Sequence, residues 1–557
     1  TEDEIIAYKF NKYIINSIDS IVESISAPQN IYLPEIRDDL SLFDKFNNVS
    51  MCKLKSTIIN LKNTTDLEFL ISKDNIKDAF EVIGDRFLEV VNSSLYNGTF
   101  PQSWKTSDVI PVPKVVNSQD CKDYRPINTV TIFEKILEVE VKDQLVNYCE
   151  QNEVFVQNQS GFRKYYSCES AIINVCDEWL NALESNRIVL VVFLDLRRAF
   201  ETINRQLLVD KLEAIGLRNN VLKWFDSYLS NRYQRVKFKS AISDAILVKH
   251  GVPQGTILGP VLFSIYMNDI VKVLNKCHIS LFADDTVLYI EGFDYFSMSD
   301  QINQELKMIN DWLCSNSMLL NLEKTKYMGR GSIMNKINEV DYRITINDHD
   351  IERVWEMKYL GVILDDKLSF QKHCNYILNK ISKKVYLLNR ISNSITMNTR
   401  ILLYKALIGP HVDYCSAILF GLCQNELGKI QKLQNKAMRT ILKCNRYTPI
   451  KLMLEVLNLM NVKQRLIFKT LNMVFKIKNQ TTAKYLCNKV QYVSEIHSYN
   501  TRKHGDFFIR TARTGLLNRT ILYRGLNMFN ALPDIIKNCD NHIKFKSMLK
   551  KYVLEVF

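Results

Sequence analysis

The sequence predicts an α+β protein, and three features carry that prediction. Ile188-Val-Leu-Val-Val-Phe-Leu194 is an unbroken β-branched and aromatic run, as expected of a strand buried on both faces. Residues 279–283 and 286–290 each alternate in character on either side of Asp284-Asp285, so two strands flank a turn. Beyond Phe370 the apolar residues fall three and four apart, which is the period of helices.

The elements follow in order. Phe10, Ile14, Ile18, Ile21 and Ile25 form one apolar stripe and predict an N-terminal docking helix. A second amphipathic helix is expected over residues 78–95; Gly98, Pro101, Pro111 and Pro113 then mark a looped passage with a short strand at 108–112. Residues 130–150 and 169–185 read as helices. After the 188–194 strand, a helix is expected from Ala199 to Ile215, with apolar residues at 203, 207, 208, 212 and 215 and Gly216 as its cap. Further on, Ile377, Ile381, Val385, Leu388 and Ile391 trace one helix face, and Ile430, Leu433, Ala437 and Ile441 another. Gly409-Pro410 is expected to break the chain between them.

A chain of 557 residues exceeds a single core and predicts several packed units. Its 46% hydrophobic and 24% charged residues, with 17 Gly and 11 Pro, are those of a folded protein nearly throughout. No apolar run reaches the roughly 18 residues of a membrane span, so no membrane partner is expected. The start at Thr1 suggests a piece of something longer. Thirteen Cys without any C-x-x-C pair predict scattered reduced thiols in an intracellular protein. His411, Cys415 and Cys423 are the nearest approach to a ligand cluster. Charge is uneven: residues 371–557 hold 32 Lys and Arg against 8 Asp and Glu, while residues 1–370 hold 41 against 52. A basic block of that size usually meets a polyanion, most commonly nucleic acid.

Asp195 ends the first strand and Asp284-Asp285 sit at the tip of the hairpin. If those strands are neighbours, three carboxylates converge, and such crowding is unfavourable unless divalent cations sit among them. Two ions about 3.5–4 Å apart would clamp the attacking and leaving oxygens of a phosphoryl displacement. The plainer alternative is a helix cap at Asp195 and a polar turn at Asp284-Asp285.

The surrounding motifs weigh against that alternative. Phe193-Leu-Asp-Leu-Arg-Arg-Ala-Phe200, Gly251-Val-Pro-Gln-Gly-Thr-Ile-Leu-Gly-Pro-Val-Leu-Phe263 and Phe282-Ala-Asp-Asp285 occur in that order. Around them stand Tyr124-Arg-Pro-Ile127, Gly161-Phe-Arg163, Asn321-Leu-Glu-Lys-Thr325 and Tyr359-Leu-Gly361. His497-Ser-Tyr-Asn-Thr-Arg502 and Asn530-Ala-Leu-Pro533 complete the series. Together they resemble the reverse transcriptase of a non-LTR, LINE-like retrotransposon of the jockey kind. The resemblance implies a right-hand polymerase: an N-terminal helical extension (1–79), fingers and palm (80–365) with an antiparallel sheet and helices on one face, a helical thumb (366–450) and a basic C-terminal region (451–557).

Roles are carried over by the same resemblance. Asp195 and Asp284 would bind two Mg²⁺ ions, or Mn²⁺, with Asp285 assisting and the Leu196 carbonyl completing one shell. Phe200 would be the steric gate against a 2′-hydroxyl, with a core phenylalanine as the plain alternative. Arg163 would hold the triphosphate. Gln254 would lie by the nucleotide and template, with Gly255 permitting close backbone approach. Lys324 would protonate the leaving pyrophosphate, and Tyr359, Leu360 and Gly361 would grip the primer end. Glu201 stands where many relatives carry Asp, and Cys168 where Thr is common. The implied partners are an RNA template, a DNA primer and dNTPs, with target-primed synthesis in the nucleus. An RNA-templated RNA polymerase and an RNA-binding protein without the chemistry are the rival readings.

One further expectation comes from the residues themselves. Lys429, Lys432, Lys436, Arg439 and Lys443 recur three and four apart, and no acid occurs from Leu427 to Leu454, so one helix face is expected to lie along a nucleic-acid backbone.

Overall fold

The computed structural model describes residues 2–26, 32, 34–37, 39–62, 72–115, 118–331, 343–496 and 504–557. Two units divide the chain: Thr1–Phe162, Leu194–Asn275 and Gln304–Lys324 form the first, and Arg163–Phe193, Lys276–Asn303 and Thr325–Phe557 the second.

In the first unit the helix Glu2–Glu23 buries Ala7, Phe10, Asn11, Ile14 and Ile18, which is the expected stripe as far as Ile18. The polar member is satisfied, because Asn11 Nδ2 donates to Ser243 Oγ at 2.9 Å. Phe10 meets the rings of Tyr124 and Phe238 at 5.0 and 6.1 Å. Those rings belong to a five-stranded sheet. In it Thr106–Pro113 pairs antiparallel with Tyr124–Thr129 and parallel with Arg232–Phe238. The helix Lys73–Asn97 starts earlier than its apolar pattern suggests, since Ser72 and Asn75 form a capping box ahead of it.

The helix expected from Ala199 begins only at Arg205, where the Asn204 side chain accepts from Leu207 N. Residues 199–203 form a turn instead. Val252 N donates to Phe200 O at 2.9 Å and Gly251 N to Ile203 O at 2.7 Å, so carbonyls that a helix would use internally serve another segment.

The second unit is organised on a sheet in the order Glu352–Arg353, Lys326–Arg330, Ile188–Leu194, Asp285–Gly292, His278–Phe282. Every residue of the central Ile188–Leu194 strand is buried, as its composition predicts. The sheet is mixed rather than antiparallel, because Glu352–Arg353 runs parallel to Lys326–Arg330. The helix Cys168–Glu184 lays Trp179 against Phe193 and Tyr289, at 6.5 and 5.9 Å between ring centroids.

From Gln371 onward the described residues are helical or looped. Gln371–Ile391 buries Ile377, Ile381, Val385 and Leu388, and packs along Gln424–Leu442, which buries Ile430, Ala437 and Ile441. Gly409-Pro410 does not break the chain. A wide turn, Tyr404–Ile408, runs directly into a short helix, Gly409–Asp413, and the break comes at Cys415 with φ 48°. Proline is tolerated there because a first-turn N–H has no helical partner to lose. The 497–502 motif lies outside the described residues. Asn530 is described, and its side chain exchanges two hydrogen bonds with the Phe507 backbone, at 3.0 and 2.8 Å. The thirteen cysteines are free thiols, and among the described residues no helix is long and apolar enough to cross a membrane.

Candidate active site

In the first unit, Asp195 follows the end of the central strand, and its surroundings are stitched by backbone. Asn321 N donates to Asp195 O and Arg197 N to Leu319 O, both at 2.8 Å, while Leu196 bridges Leu320. The turn that follows closes through Lys324 N to Asn321 O at 3.1 Å. It brings Lys324 Nζ to 3.8 Å from Asp195 Oδ2, with 70% and 41% of the two side chains exposed. A pair that wet contributes little stability, so its consequence is placement.

Phe200 and Gln254 share this unit. The half-buried Phe200 ring stacks on Phe263 at 4.2 Å and 18°. It sits in the turn, not at the start of a helix. Two glycines hold the Gly251–Gly255 loop close to its neighbours. A Cβ on Gly251, at φ 79°, would stand 2.6 Å from Glu201 O, and one on Gly255, at φ 108°, would stand 2.4 Å from Asn128 O. Gln254 O accepts from Asn128 N at 2.8 Å. The close approach that Gly255 permits is therefore to the Tyr124–Thr129 strand.

Three cations gather here that no sequence motif singles out for a role. The Lys114 ammonium is held below its ordinary range first by burial, then by Arg198, Arg125 and Lys324. Burial raises the Glu201 carboxyl, and Arg198, Lys114 and Arg125 counter that rise. The available signal is faint: Arg125 lies inside the Tyr124–Ile127 motif and Arg198 inside the Phe193–Phe200 one, whereas Lys114 belongs to no motif. These cations outnumber their acidic neighbours Asp195 and Glu201, which leaves local positive charge.

In the second unit, Phe282 pairs with Asp285, so Ala283 and Asp284 make the two-residue turn of the hairpin, Ala283 with φ 56°. Both carboxylates are exposed. A left-handed alanine is unfavourable by about 1–3 kcal/mol, a cost that tends to be tolerated at working sites. The strand that begins at Asp285 lies beside Ile188–Leu194 in the sheet. A second hairpin, Glu356–Tyr359 with Val362–Asp365, turns through Leu360 and Gly361 at φ 44° and 79°. Two left-handed residues make this the turn that suits strand twist. Tyr414 Oη fixes it by donating to Leu360 O at 2.7 Å. The buried Tyr359 hydroxyl lies 3.5 Å from Ser280 Oγ, and burial, reinforced by Asp285, pushes its phenol upward against a smaller opposing effect of Ser280. The two hairpins are thus in contact.

Arg163 is only 9% exposed, with its guanidinium over the Tyr166 ring at 4.3 Å. The helix Gln424–Leu442 presents Lys432 and Lys436 to solvent, but the expected row of five does not form one uniform face. Lys429 pairs with Glu426 at 2.8 Å, Arg439 donates to Arg446 O at 3.2 Å, and Lys443 is the left-handed cap beyond the last turn. An acid just ahead of the acid-free stretch and a helix end just inside it explain the difference.

Among the described residues no three His, Cys, Asp or Glu side chains are gathered as a ready metal cage, His411, Cys415 and Cys423 included. The carboxylates at the sheet are nonetheless the hard oxygen donors that suit Mg²⁺. That ion takes one or two protein carboxylates and completes its shell with water and substrate phosphate.

Residues 112–364 match the family model described as reverse transcriptase (RNA-dependent DNA polymerase). The matched stretch is similar to reverse transcriptases, and the chain is similar to RNA-directed DNA polymerases of mobile elements. It is 27% identical over 361 residues to the probable RNA-directed DNA polymerase from transposon X-element of Drosophila melanogaster, covering 62% of this chain and 38% of that protein. It is 25% identical over 363 residues to the RNA-directed DNA polymerase from mobile element jockey of Drosophila funebris, covering 63% and 39%. A third relative, the probable RNA-directed DNA polymerase from transposon BS of Drosophila melanogaster, is 24% identical over 391 residues, covering 68% and 42%. The chain thus aligns with about two fifths of these relatives' length.

Proposed function

We propose that this chain extends a primer 3′-hydroxyl with dNTPs on an RNA template, as the polymerase step of target-primed retrotransposition in the nucleus. The observation that carries the reading is the neighbouring of two strands: Asp195 follows one, and the other begins at Asp285. Asp195, the Leu196 carbonyl and Asp284, with Asp285 assisting, would hold two Mg²⁺ or Mn²⁺ ions. When bound, such ions neutralise the charge developing on the attacking and leaving oxygens. Lys114, Arg125 and Arg198 are available to the triphosphate, with Arg163 as a further contact held more rigidly by its burial. Lys324, beside Asp195, would deliver a proton to the departing pyrophosphate. Phe200, stiffened by stacking on Phe263, would bar a 2′-hydroxyl, and Gln254 would support the incoming nucleotide. The Tyr359–Gly361 turn would seat the primer end, while residues 366–450 as thumb and 451–557 as a basic tail would hold nucleic acid. Primer extension on an RNA template, with dNTPs or rNTPs supplied separately, tests the whole reading. DNA synthesis with Mg²⁺ is expected; incorporation of rNTPs as readily as dNTPs, or none of either, would sink it.

A further inference from the structure

The Gly251–Gly259 segment carries Gln254; Thr256 Oγ1 ties it internally, donating to Pro253 O at 3.0 Å and accepting from Gly259 N at 3.1 Å, and its two ends are held from outside. Its entry is held by Arg205, which donates from Nε to Gly251 O at 2.9 Å, from Nη1 to Val248 O at 2.6 Å and from Nη2 to His250 O at 3.1 Å. Its exit is held by Glu138 on the helix Ile132–Gln151, whose Oε2 accepts from Ile257 N at 2.7 Å. The other Glu138 oxygen, Oε1, accepts from Tyr228 Oη at 2.5 Å. Behind it Arg232 pairs with Glu134 at 2.7 Å and donates to Tyr228 O at 3.2 Å.

Glu138 is a buried ionisable group and Arg205 a half-buried one, and among the described residues neither forms the ion pair that usually justifies such placement. Among the described residues no carboxylate forms an ion pair with Arg205. Burial first, and then the neighbouring Arg232, lower its guanidinium to about 9. Glu138 is fully buried, and Arg232 is committed to Glu134. Burial and the adjacent Glu134 raise the Glu138 acid to about 8, against the opposing effects of Tyr228, Ile257 and Arg232. The neutral form of the acid is thereby favoured, and Oε2 can accept from Ile257 N in either form. Interiors keep such expensive groups where an apolar residue could not meet the same demand. The demand here is loop backbone, three carbonyls at one end and an amide at the other.

We propose that Arg205 and Glu138 are positioning residues that fix the two ends of the Gly251–Gly259 loop and so preset Gln254 for the incoming nucleotide. The link to the nucleotide rests on the polymerase reading above; the holding of the loop does not. Glu138→Gln keeps an oxygen for Ile257 and an uncharged side chain, so it should retain parent behaviour at pH 7. Glu138→Ala and Arg205→Gln should raise the KM for dNTPs roughly tenfold or more with a smaller change in kcat, the pattern of impaired substrate positioning. Arg205→Lys should fall between. Amide hydrogen exchange, read well below each variant's Tm, should quicken across residues 251–259 and stay unchanged on the Ile188–Leu194 strand. The exchange measurement decides whether the loop is held even if the parent copies no template. A lower Tm alone, with KM and loop exchange at parent values, would overturn the proposal, as would Glu138→Gln behaving like Glu138→Ala.

Discussion

Asp195 and Asp284 both reach water, and Asn in place of either keeps the shape while removing the charge that a metal needs. Asn at either position should abolish extension and leave primer–template affinity within about twofold, because affinity arises from cations elsewhere. Extension at the parent rate by either variant would remove the metal assignment. Phe200 has a double character, with one ring partner in the core and part of its surface uncovered. Phe200→Ala should lower discrimination against rNTPs by roughly tenfold or more, the usual range when a steric filter is removed. A larger fall in Tm with dNTP preference intact would return the ring to the core.

The junction between the second hairpin and the helix Gln371–Ile391 has its own chemistry. Asp365 accepts from the backbone N–H groups of Lys367, Ser369 and Phe370, at 3.1, 2.9 and 2.8 Å. Behind it His373 Nδ1 accepts from Ile363 N at 3.3 Å, a bond that only a neutral ring nitrogen can receive. Burial lowers this imidazole to about 4 from an ordinary 6.5. Folding therefore prefers the neutral ring. Its contribution is complete above about pH 6.5 and is lost as pH falls through 6.5 towards 4, on the order of 3 kcal/mol in all. His373→Gln should flatten this part of the acid limb, so parent and variant denaturation curves should converge between pH 7 and pH 4. Parallel curves would show that His373 already titrates normally. On the helix Gln424–Leu442, the double change of Lys432 and Lys436 to Gln tests the exposed pair that the geometry leaves available. It should lower the salt slope of duplex binding by up to about two units, near 0.9 for each phosphate no longer neutralised. An unchanged slope would move the search to the cations beyond Lys463.

Charge divides the sequence into an acidic first part, residues 1–370, and a basic second part, residues 371–557. This predicts that chemistry and affinity can be separated by two different treatments. Chelating divalent ions should stop extension while filter binding of the primer–template persists, whereas raising salt from about 50 to 200 mM should release the nucleic acid. Release by chelation at low salt would mean that metal, rather than the basic surface, holds the duplex.

What the sequence determined alone was whatever one segment settles by itself: a run of seven apolar residues that reads as a central strand, the carboxylates at strand and hairpin ends, and the apolar faces of the rear helices. Local period and composition act over a few residues and leave a readable trace. The turn at 199–203, the passage through Gly409-Pro410 and the places of Arg205 and Glu138 left none. Those depend on which distant backbone groups need a partner: Val252 for Phe200, Ile257 for Glu138, Gly251 for Arg205. A buried polar group must find its partner wherever the fold brings one, and that pairing exists only once the chain is packed.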